Sequence, residues 1–327
     1  MKQEEAQTAR DEAVFDALRR FPAASHRSLA RFLCARHKGM FPDFNNARQA
    51  VRYQRGARIG GHGKKKKPFL YKPYEIMPIS QRIKRESFML PKGRWGILPD
   101  LHVPFHEEKP FETAIEWFRD SKITGLIFAG DFQDVEALSY WKATRRRDFV
   151  DEVEATCDML DTIRGIFPTQ KIIWQQGNHE ERLASYYRAF APELADLPTS
   201  DMETILALNK RKITLLEPKQ KIELHAFTLL HGHEMRGSYS PVSPARWAFL
   251  KMKACGAIGH FHATSECTKQ SINRQLISTW SFGCLCDLEP DYNPYGNDWN
   301  WGCARIDYDG YDWEIRNRRI LPTGRLD

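Results

Sequence analysis

The sequence predicts an α/β body behind a small all-α unit. Three observations carry that expectation. From residue 95 onward apolar runs alternate with helix-patterned stretches, the order a layered α/β fold requires. Five of those runs stop at residues able to hold a metal. The first 94 residues hold 22 Lys/Arg against 8 Asp/Glu and the rest 27 against 34, so a basic front end precedes an acidic body.

The central run is Gly125-Leu-Ile-Phe-Ala-Gly-Asp131-Phe-Gln-Asp134. An apolar segment ending in Gly-Asp has the pattern of a buried parallel strand that delivers a carboxylate at its C-terminal edge, where α/β sheets place ligands. Upstream, Trp95-Gly-Ile-Leu-Pro-Asp100-Leu-His102 ends in Asp-x-His. Downstream, Lys171-Ile-Ile-Trp-Gln-Gln-Gly-Asn178-His179-Glu180 ends in Gly-Asn-His-Glu. Leu229-Leu-His231-Gly-His233 and Ala257-Ile-Gly-His260-Phe-His262 complete the set. Residues two apart point the same way along extended chain, so Asp100 with His102, and His260 with His262, are expected to converge.

This ordered series resembles the calcineurin-like metallophosphoesterase superfamily, over about residues 94–310. The resemblance implies a four-layer α/β/β/α sandwich and two divalent metal ions, about 3.5–4 Å apart in two-metal sites generally. It implies that Asp131 bridges them, that Asp100, His102 and His262 complete one set of ligands, and that Asn178, His231 and His260 complete the other. A mixed N/O donor set without thiolate suits Mn²⁺, Fe²⁺, Zn²⁺ or Ni²⁺ better than Ca²⁺, with Mn²⁺ expected. By the same resemblance a water activated by the metals attacks phosphorus in line, His179 donates a proton to the leaving oxygen, and His233 orients phosphate or neighbouring groups. Glu180 is expected to hydrogen-bond a histidine, and His106 and His225 to be structural. After Asp131 there is no Asp-Arg-Gly, as in phosphoprotein phosphatases, and position 134 is not the tyrosine of purple acid phosphatases. In overall look the chain resembles phage-encoded or prokaryotic members.

Ahead of this body, residues 1–57 read as three short helices: 9–21, then one from Ser25, then one capped by Asp43 or Asn45 and stopped by Gly56. Arg48, Arg52 and Arg55 share one face of the third. The unit resembles a helix-turn-helix nucleic-acid reader, and its alternative is a helical docking domain. Residues 58–93 begin Gly-rich and continue through Lys64, Lys65, Lys66 and Lys67, a linker suited to a phosphate backbone; residues 69–93 are expected to pack irregularly. The metallophosphoesterase domain is expected over 94–327.

Within it a helix is expected over Asp148–Arg164, a mostly helical cap over 182–211, and strands over 212–216, 221–231, 254–259, 272–281 and 303–308, with a hairpin turn at Asp309-Gly310. The segment Asp291–Trp301 mixes Tyr292, Tyr295, Trp299 and Trp301 with asparagines: either a base-stacking rim or an aromatic mini-core. At 42% apolar and 28% charged residues the chain is globular. No apolar run reaches membrane-spanning length, and no secretory apolar region opens the chain. Seven cysteines without a Cys-x-x-Cys pair read as reduced thiols, so a cytoplasmic protein is expected. The function these features imply is hydrolysis of phosphodiesters in nucleic acid. The alternatives are a small-molecule phosphomonoesterase, a cyclic-nucleotide phosphodiesterase or a non-catalytic metal-binding scaffold.

Overall fold

The computed structural model describes residues 2–56, 81–140, 148–197, 200–235 and 242–327. Lys64, Lys65, Lys66 and Lys67, with most of the linker, lie outside them. The chain divides into two compact units, Met1–Gln81 and Arg82–Asp327.

In the first unit, helices α1 (Lys2–Arg20), α2 (His26–Arg36) and α3 (Phe44–Gln54) enclose a core of Val14, Ala17, Leu29, Leu33, Phe41, Ala47 and Val51. Local chemistry sets the boundaries. The Ser25 hydroxyl accepts from Ser28 N, and the Asp43 carboxylate from Asn46 N at 2.7 Å, each satisfying an amide that the helix leaves open. Gly56 follows α3 at φ +74°, the left-handed conformation that glycine adopts without steric cost. The α1 helix begins earlier than the expected residue 9, because the charged residues preceding it are good helix formers.

The second unit contains β1 (Phe88–Met89), β2 (Gly93–Leu98), α4 (Glu108–Asp120), β3 (Gly125–Ala129), α5 (Phe149–Ile166), β4 (Lys171–Gln175), α6 (Glu181–Phe190), α7 (Met202–Ile205) and β5 (Ile213–Leu215). It continues with β6 (Ile222–Leu224), β7 (Phe227–Leu230), α8 (Pro244–Met252), β8 (Cys255–Ile258), β9 (Ser265–Gln270), β10 (Leu276–Ser281), β11 (Gly302–Tyr308) and β12 (Trp313–Arg319). Two six-stranded mixed sheets result, ordered β12-β11-β2-β3-β4-β5 and β1-β6-β7-β8-β10-β9.

The inner faces meet through Ile97, Ile127, Ile173, Leu224, Phe227, Leu229 and Phe282. On the outer face of the first sheet Leu126, Phe128, Ile172 and Trp174 pack with Phe118 of α4 and with Leu160 and Ile163 of α5. Both faces of β2, β3 and β4 are therefore covered, which is why their sequences read as continuous apolar runs. Helix α8 lies against β8, β9 and β10. The architecture is the expected four-layer α/β/β/α sandwich.

Register positions the site. Leu98 pairs with Phe128 and Phe128 with Trp174, so β2, β3 and β4 end level and their loops emerge at one edge. In the other sheet Leu230 pairs with Ile258, which brings the loops after β7 and β8 out side by side. Close packing beneath is strict: a Cβ on Gly125 would run into the Trp95 ring.

Several elements differ from expectation. The run 221–231 is a hairpin, β6 and β7, turned at His225 with φ +43°. The stretch 272–281 contributes only β10; its partner β9 has a single buried residue and carries no apolar signature, as befits an edge strand. Phe88–Met89 pairs with β6 where irregular packing was expected. Among the described residues the 182–211 segment is helical to Phe190, over a 3₁₀ turn at Pro192–Leu194 and over a short α7. The turn at Asp309-Gly310 extends to Asp312, with Asp309 Oδ1 accepting from Tyr311 N and Asp312 N. No helix of the described residues is long and apolar enough to cross a membrane, and all seven cysteines are free.

Candidate metal centre

The loops leaving the strand ends stay hydrogen-bonded to one another. His102 N donates to Asp131 O at 2.9 Å and Val103 N to Phe132 O at 2.8 Å, so the loops after β2 and β3 run as a pair. Gly259 N donates to His231 O at 2.8 Å and Leu285 N to Asp100 O at 3.1 Å, which ties in the second sheet. Within this frame Asp100, His102, Asp131, His260 and His262 all have φ between 45° and 66°. Their side chains converge from left-handed backbone, and the extended-chain reading of Asp-x-His and His-x-His is corrected. Each such residue costs roughly 1–3 kcal/mol, a strain that persists only where surrounding structure enforces it and that clusters at functional sites.

Asp100, His102, Asp131, His231, His260 and His262 come together at the strand ends. Asp100, His102 and Asp131 form one group of donor atoms, and Asp131, His231 and His260 another. His262 Nε2 lies 3.2 Å from Asp100 Oδ1 and 3.3 Å from His102 Nε2. Asp131 stands between the groups. Its Oδ1 accepts from His179 N at 2.9 Å, while Oδ2 lies 3.1 Å from His231 Nε2, 3.9 Å from His102 Nε2 and 3.8 Å from His179 Nε2.

The donor chemistry fits a cation. His231 Nδ1 donates to Ala129 O at 2.8 Å, which turns Nε2 into the pocket, 3.1 Å from Asp131 Oδ2. Asn178 Oδ1 is buried and has no hydrogen-bond partner among the described residues. A buried amide oxygen without a partner is costly unless something electropositive meets it. Burial pushes the Asp100 and Asp131 carboxyls up, yet the imidazoles around them, His262 foremost for Asp100 and His231 for Asp131, hold both below the usual range. Burial, with His231 alongside, drives His260 down to about 3, so it presents a neutral ring. Around His231 burial is outweighed by Asp131, and the imidazole rises well above its usual value.

Four residues that hold this cluster were not expected to. Asp134 Oδ2 binds His102 Nδ1 at 2.9 Å, the remote nitrogen of a proposed ligand. Its backbone O meets His179 Nδ1 at 2.8 Å. Arg182 donates to Asp134 O at 2.9 Å and to Asp134 Oδ1 at 3.2 Å, and its Nη2 lies 3.0 Å from His179 Nε2. The Glu234 carboxylate accepts from Gly232 N at 2.7 Å and His231 N at 3.3 Å. Cys286 Sγ lies 3.9 Å from His262 Nδ1. Only spacing hints at them: Asp134 follows Asp131 by three, and Arg182 follows His179 by three at the start of α6.

Glu180 departs from expectation. Its carboxylate binds no histidine; it accepts from Asp131 N, Phe132 N, Gln133 N and Gly177 N at 2.7–3.2 Å. It is the internal anchor of two loops. His233 sits beside the second group, 5.3 Å from the His231 ring, with Nε2 3.2 Å from Glu181 Oε1. His106 packs against Phe111 and bridges to Cys286 through its backbone, and His225 packs against Tyr311. Of the N-terminal arginines, Arg48 and Arg52 are half-buried on α3, and Arg55 donates to Pro22 O at 2.9 Å.

No family model matches the chain. Two curated proteins resemble it. The Gene 54 protein of Mycobacterium phage L5 is 21% identical over 227 residues, covering 65% of this chain and 88% of that protein. The Gene 54 protein of Mycobacterium phage D29 is 23% identical over 195 residues, covering 57% and 72%. Among solved structures, vacuolar protein sorting 29 from Cryptosporidium parvum aligns at 12% identity and TM-score 0.39, over 72% of this chain and 96% of that one. The phosphoesterase YfcE from E. coli aligns at 16% identity and TM-score 0.34, over 66% and 89%. At such scores the superpositions add no weight to the chain's own geometry. Five ligand-bearing motifs in order, two facing sheets between helices and a His/Asp cluster at the strand ends are the features in which this chain resembles the calcineurin-like metallophosphoesterases.

Proposed function

We propose that the chain is a phosphoesterase dependent on two divalent cations, with Mn²⁺ foremost, that hydrolyses phosphodiester bonds of nucleic acid. The observation that carries the reading is Asp131 standing between two groups of donors, with the buried Asn178 Oδ1 left without a partner among the described residues. One cation would be held by Asp100, His102, Asp131 and His262, the other by Asp131, Asn178, His231 and His260. Bound there, such cations lower the pKa of water and offset charge on phosphoryl oxygens.

The chain's own residues supply the rest. Asp134 O fixes the His179 ring through Nδ1. Nε2, 3.8 Å from Asp131 Oδ2, is thereby aimed at the reacting region. Arg182 Nη2 can only donate and lies 3.0 Å from the same nitrogen, so His179 would carry a proton for a leaving oxygen there only once Arg182 turns away. Aspartate, asparagine and histidine suffice, and no serine or cysteine nucleophile is required.

The nucleic-acid half of the proposal rests on charge. The N-terminal unit and linker carry Arg48, Arg52, Arg55 and Lys64–Lys67, and each phosphate they neutralise on duplex DNA adds about 0.9 to the slope of log affinity against log salt. The test is a panel of phosphomonoesters, phosphodiesters, and single- and double-stranded DNA and RNA, assayed with Mn²⁺, alongside metal analysis. Expected are two metals per chain, cleavage of oligonucleotides, and a salt slope of about −4 to −6. Hydrolysis of monoesters alone, with no affinity for oligonucleotides, would transfer the assignment to a small-molecule phosphatase. Well under two metals and no hydrolysis would leave a binding scaffold.

A further inference from the structure

We propose that the 288–300 loop forms a subsite for an aromatic ring, and that its ligand is the nucleobase attached to the phosphate under attack. The inference deepens the phosphodiesterase reading and rests on it for where the phosphate lies.

The rings are arranged as steps leading away from the cluster. The Trp299 ring meets the proposed ligand His262 edge to face, with centroids 4.2 Å apart. Tyr292 meets Trp299 in the same manner at 6.2 Å. Trp299 is half-buried, whereas Tyr292 is 65% and Tyr295 86% exposed. That exposure decides between the two sequence-level alternatives, because an aromatic mini-core would cover its tyrosines. Only Trp301 joins the packed interior.

The loop holding these rings is braced. Asn297 Nδ2 donates to Leu288 O and Asn293 O, at 2.8 and 3.1 Å, and its Oδ1 accepts from Trp299 N at 3.2 Å. Asn300 N donates to His262 O at 2.8 Å, and its side chain pairs with Thr264 N and Thr264 Oγ1. Gly296 takes φ +74° to close the turn. Exposed tyrosine rings contribute little to folding, and a segment fixed so that it keeps them in water, one ring removed from a ligand histidine, has the features of a recognition surface. Aromatic rings offer every base a π-face, so stacking tolerates any sequence. Asn297 and Asn300 are spent on the loop's own hydrogen bonds. Stacking on the rings recognises that a base is present and not which base it is.

The test uses the full-length protein with Mn²⁺ and two diesters sharing one leaving group: the p-nitrophenyl ester of thymidine 5′-phosphate, and the same ester of an abasic deoxyribose 5-phosphate. Wild type is expected to favour the first in kcat/KM, chiefly through KM. Tyr292→Ala should shrink that preference by about 5- to 30-fold, the lower part of the range for base–aromatic stacking. Tyr292→Phe, which keeps the ring, should retain it. Because Tyr292 is exposed, its loss does not endanger folding. Equal rates on both esters in the wild type would overturn the subsite while leaving a phosphodiesterase. Equal losses on both esters in Tyr292→Ala would overturn it too. If neither ester is hydrolysed the phosphodiesterase reading falls, and binding of 2-aminopurine deoxyriboside 5′-phosphate separates the two claims. Fluorescence quenched by wild type but not by Tyr292→Ala keeps the subsite, and equal quenching by both removes it.

Discussion

Substituting Glu180 by glutamine tests whether the site is held by its interior as the geometry indicates. The Glu180 carboxylate is 2% exposed. One oxygen accepts from Phe132 N at 2.7 Å and Gln133 N at 3.2 Å, the other from Asp131 N at 3.0 Å and Gly177 N at 2.7 Å. Glutamine has the same shape but turns one acceptor into a donor. Whichever way the amide lies, two buried N–H groups lose their acceptor and face another N–H. At about 1–3 kcal/mol for each buried donor left unsatisfied, the cost is about 4 kcal/mol, which in a body of this size lowers Tm by roughly 8–16 °C. One of the freed amides belongs to Asp131 or its neighbours, so the carboxylate proposed to bridge the cations loses its position together with the fold's stability. Thermal unfolding followed by near-ultraviolet circular dichroism, with metal analysis of the same samples, measures both effects. A Glu180→Gln protein melting within about 3 °C of wild type and holding two metals would refute the reasoning, since that shift is about 1 kcal/mol.

Asp131→Asn keeps the side chain's size but removes the charge shared by both donor groups. Activity should fall by orders of magnitude and metal content below two per chain, with the circular dichroism spectrum retained; an active two-metal variant would remove Asp131 from the bridge. His179→Ala should slow esters with poor leaving groups far more than nitrophenolate esters, because an acidic leaving group needs little protonation; equal losses would reduce His179 to a phosphate contact. Glu152 is buried on α5 with Oε1 accepting from Ala137 N at 3.0 Å and Oε2 unpartnered among the described residues, and burial, aided by Asp134 and Glu136, raises its carboxyl from 4.5 to about 7. A carboxyl that holds its proton more tightly when folded stabilises fully below its unfolded value, and that contribution is lost as pH climbs through about 7. Glu152→Gln should therefore gain Tm over wild type at pH 8 relative to pH 5, and parallel pH profiles for the two proteins would contradict this.

Much of the fold and nearly all of the proposed ligands were legible in the chain. Buried parallel strands leave unbroken apolar runs, and β2, β3 and β4 were read from them because both of their faces are covered. The residues just beyond such runs have to sit at a sheet edge, and the resemblance carried by their ordered motifs singled out Asp100, His102, Asp131, Asn178, His231, His260 and His262 among them. Helices α2 and α3 were bounded by Ser25, Asp43 and Gly56, which act on their own backbone and need no distant partner.

What escaped has a common physical cause. Strand β9 is an edge strand with one buried side chain, so no periodicity marks it, and it exists through hydrogen bonds to β10. Glu180 stands beside a histidine in sequence and was assigned one as its partner, yet it faces amides from positions 131–133 across the fold. Asp134, Arg182, Glu234 and Cys286 are ordinary residues until the strand ends are brought level. Left-handed backbone at five site residues could not be read from residue type, since aspartate and histidine are enriched in that region but mostly lie outside it. A ligand is identified by what it is and where its strand ends, and the groups that orient it only by what lies opposite. The first is written along the chain; the second depends on contacts between residues far apart in sequence, which form only when the two sheets close.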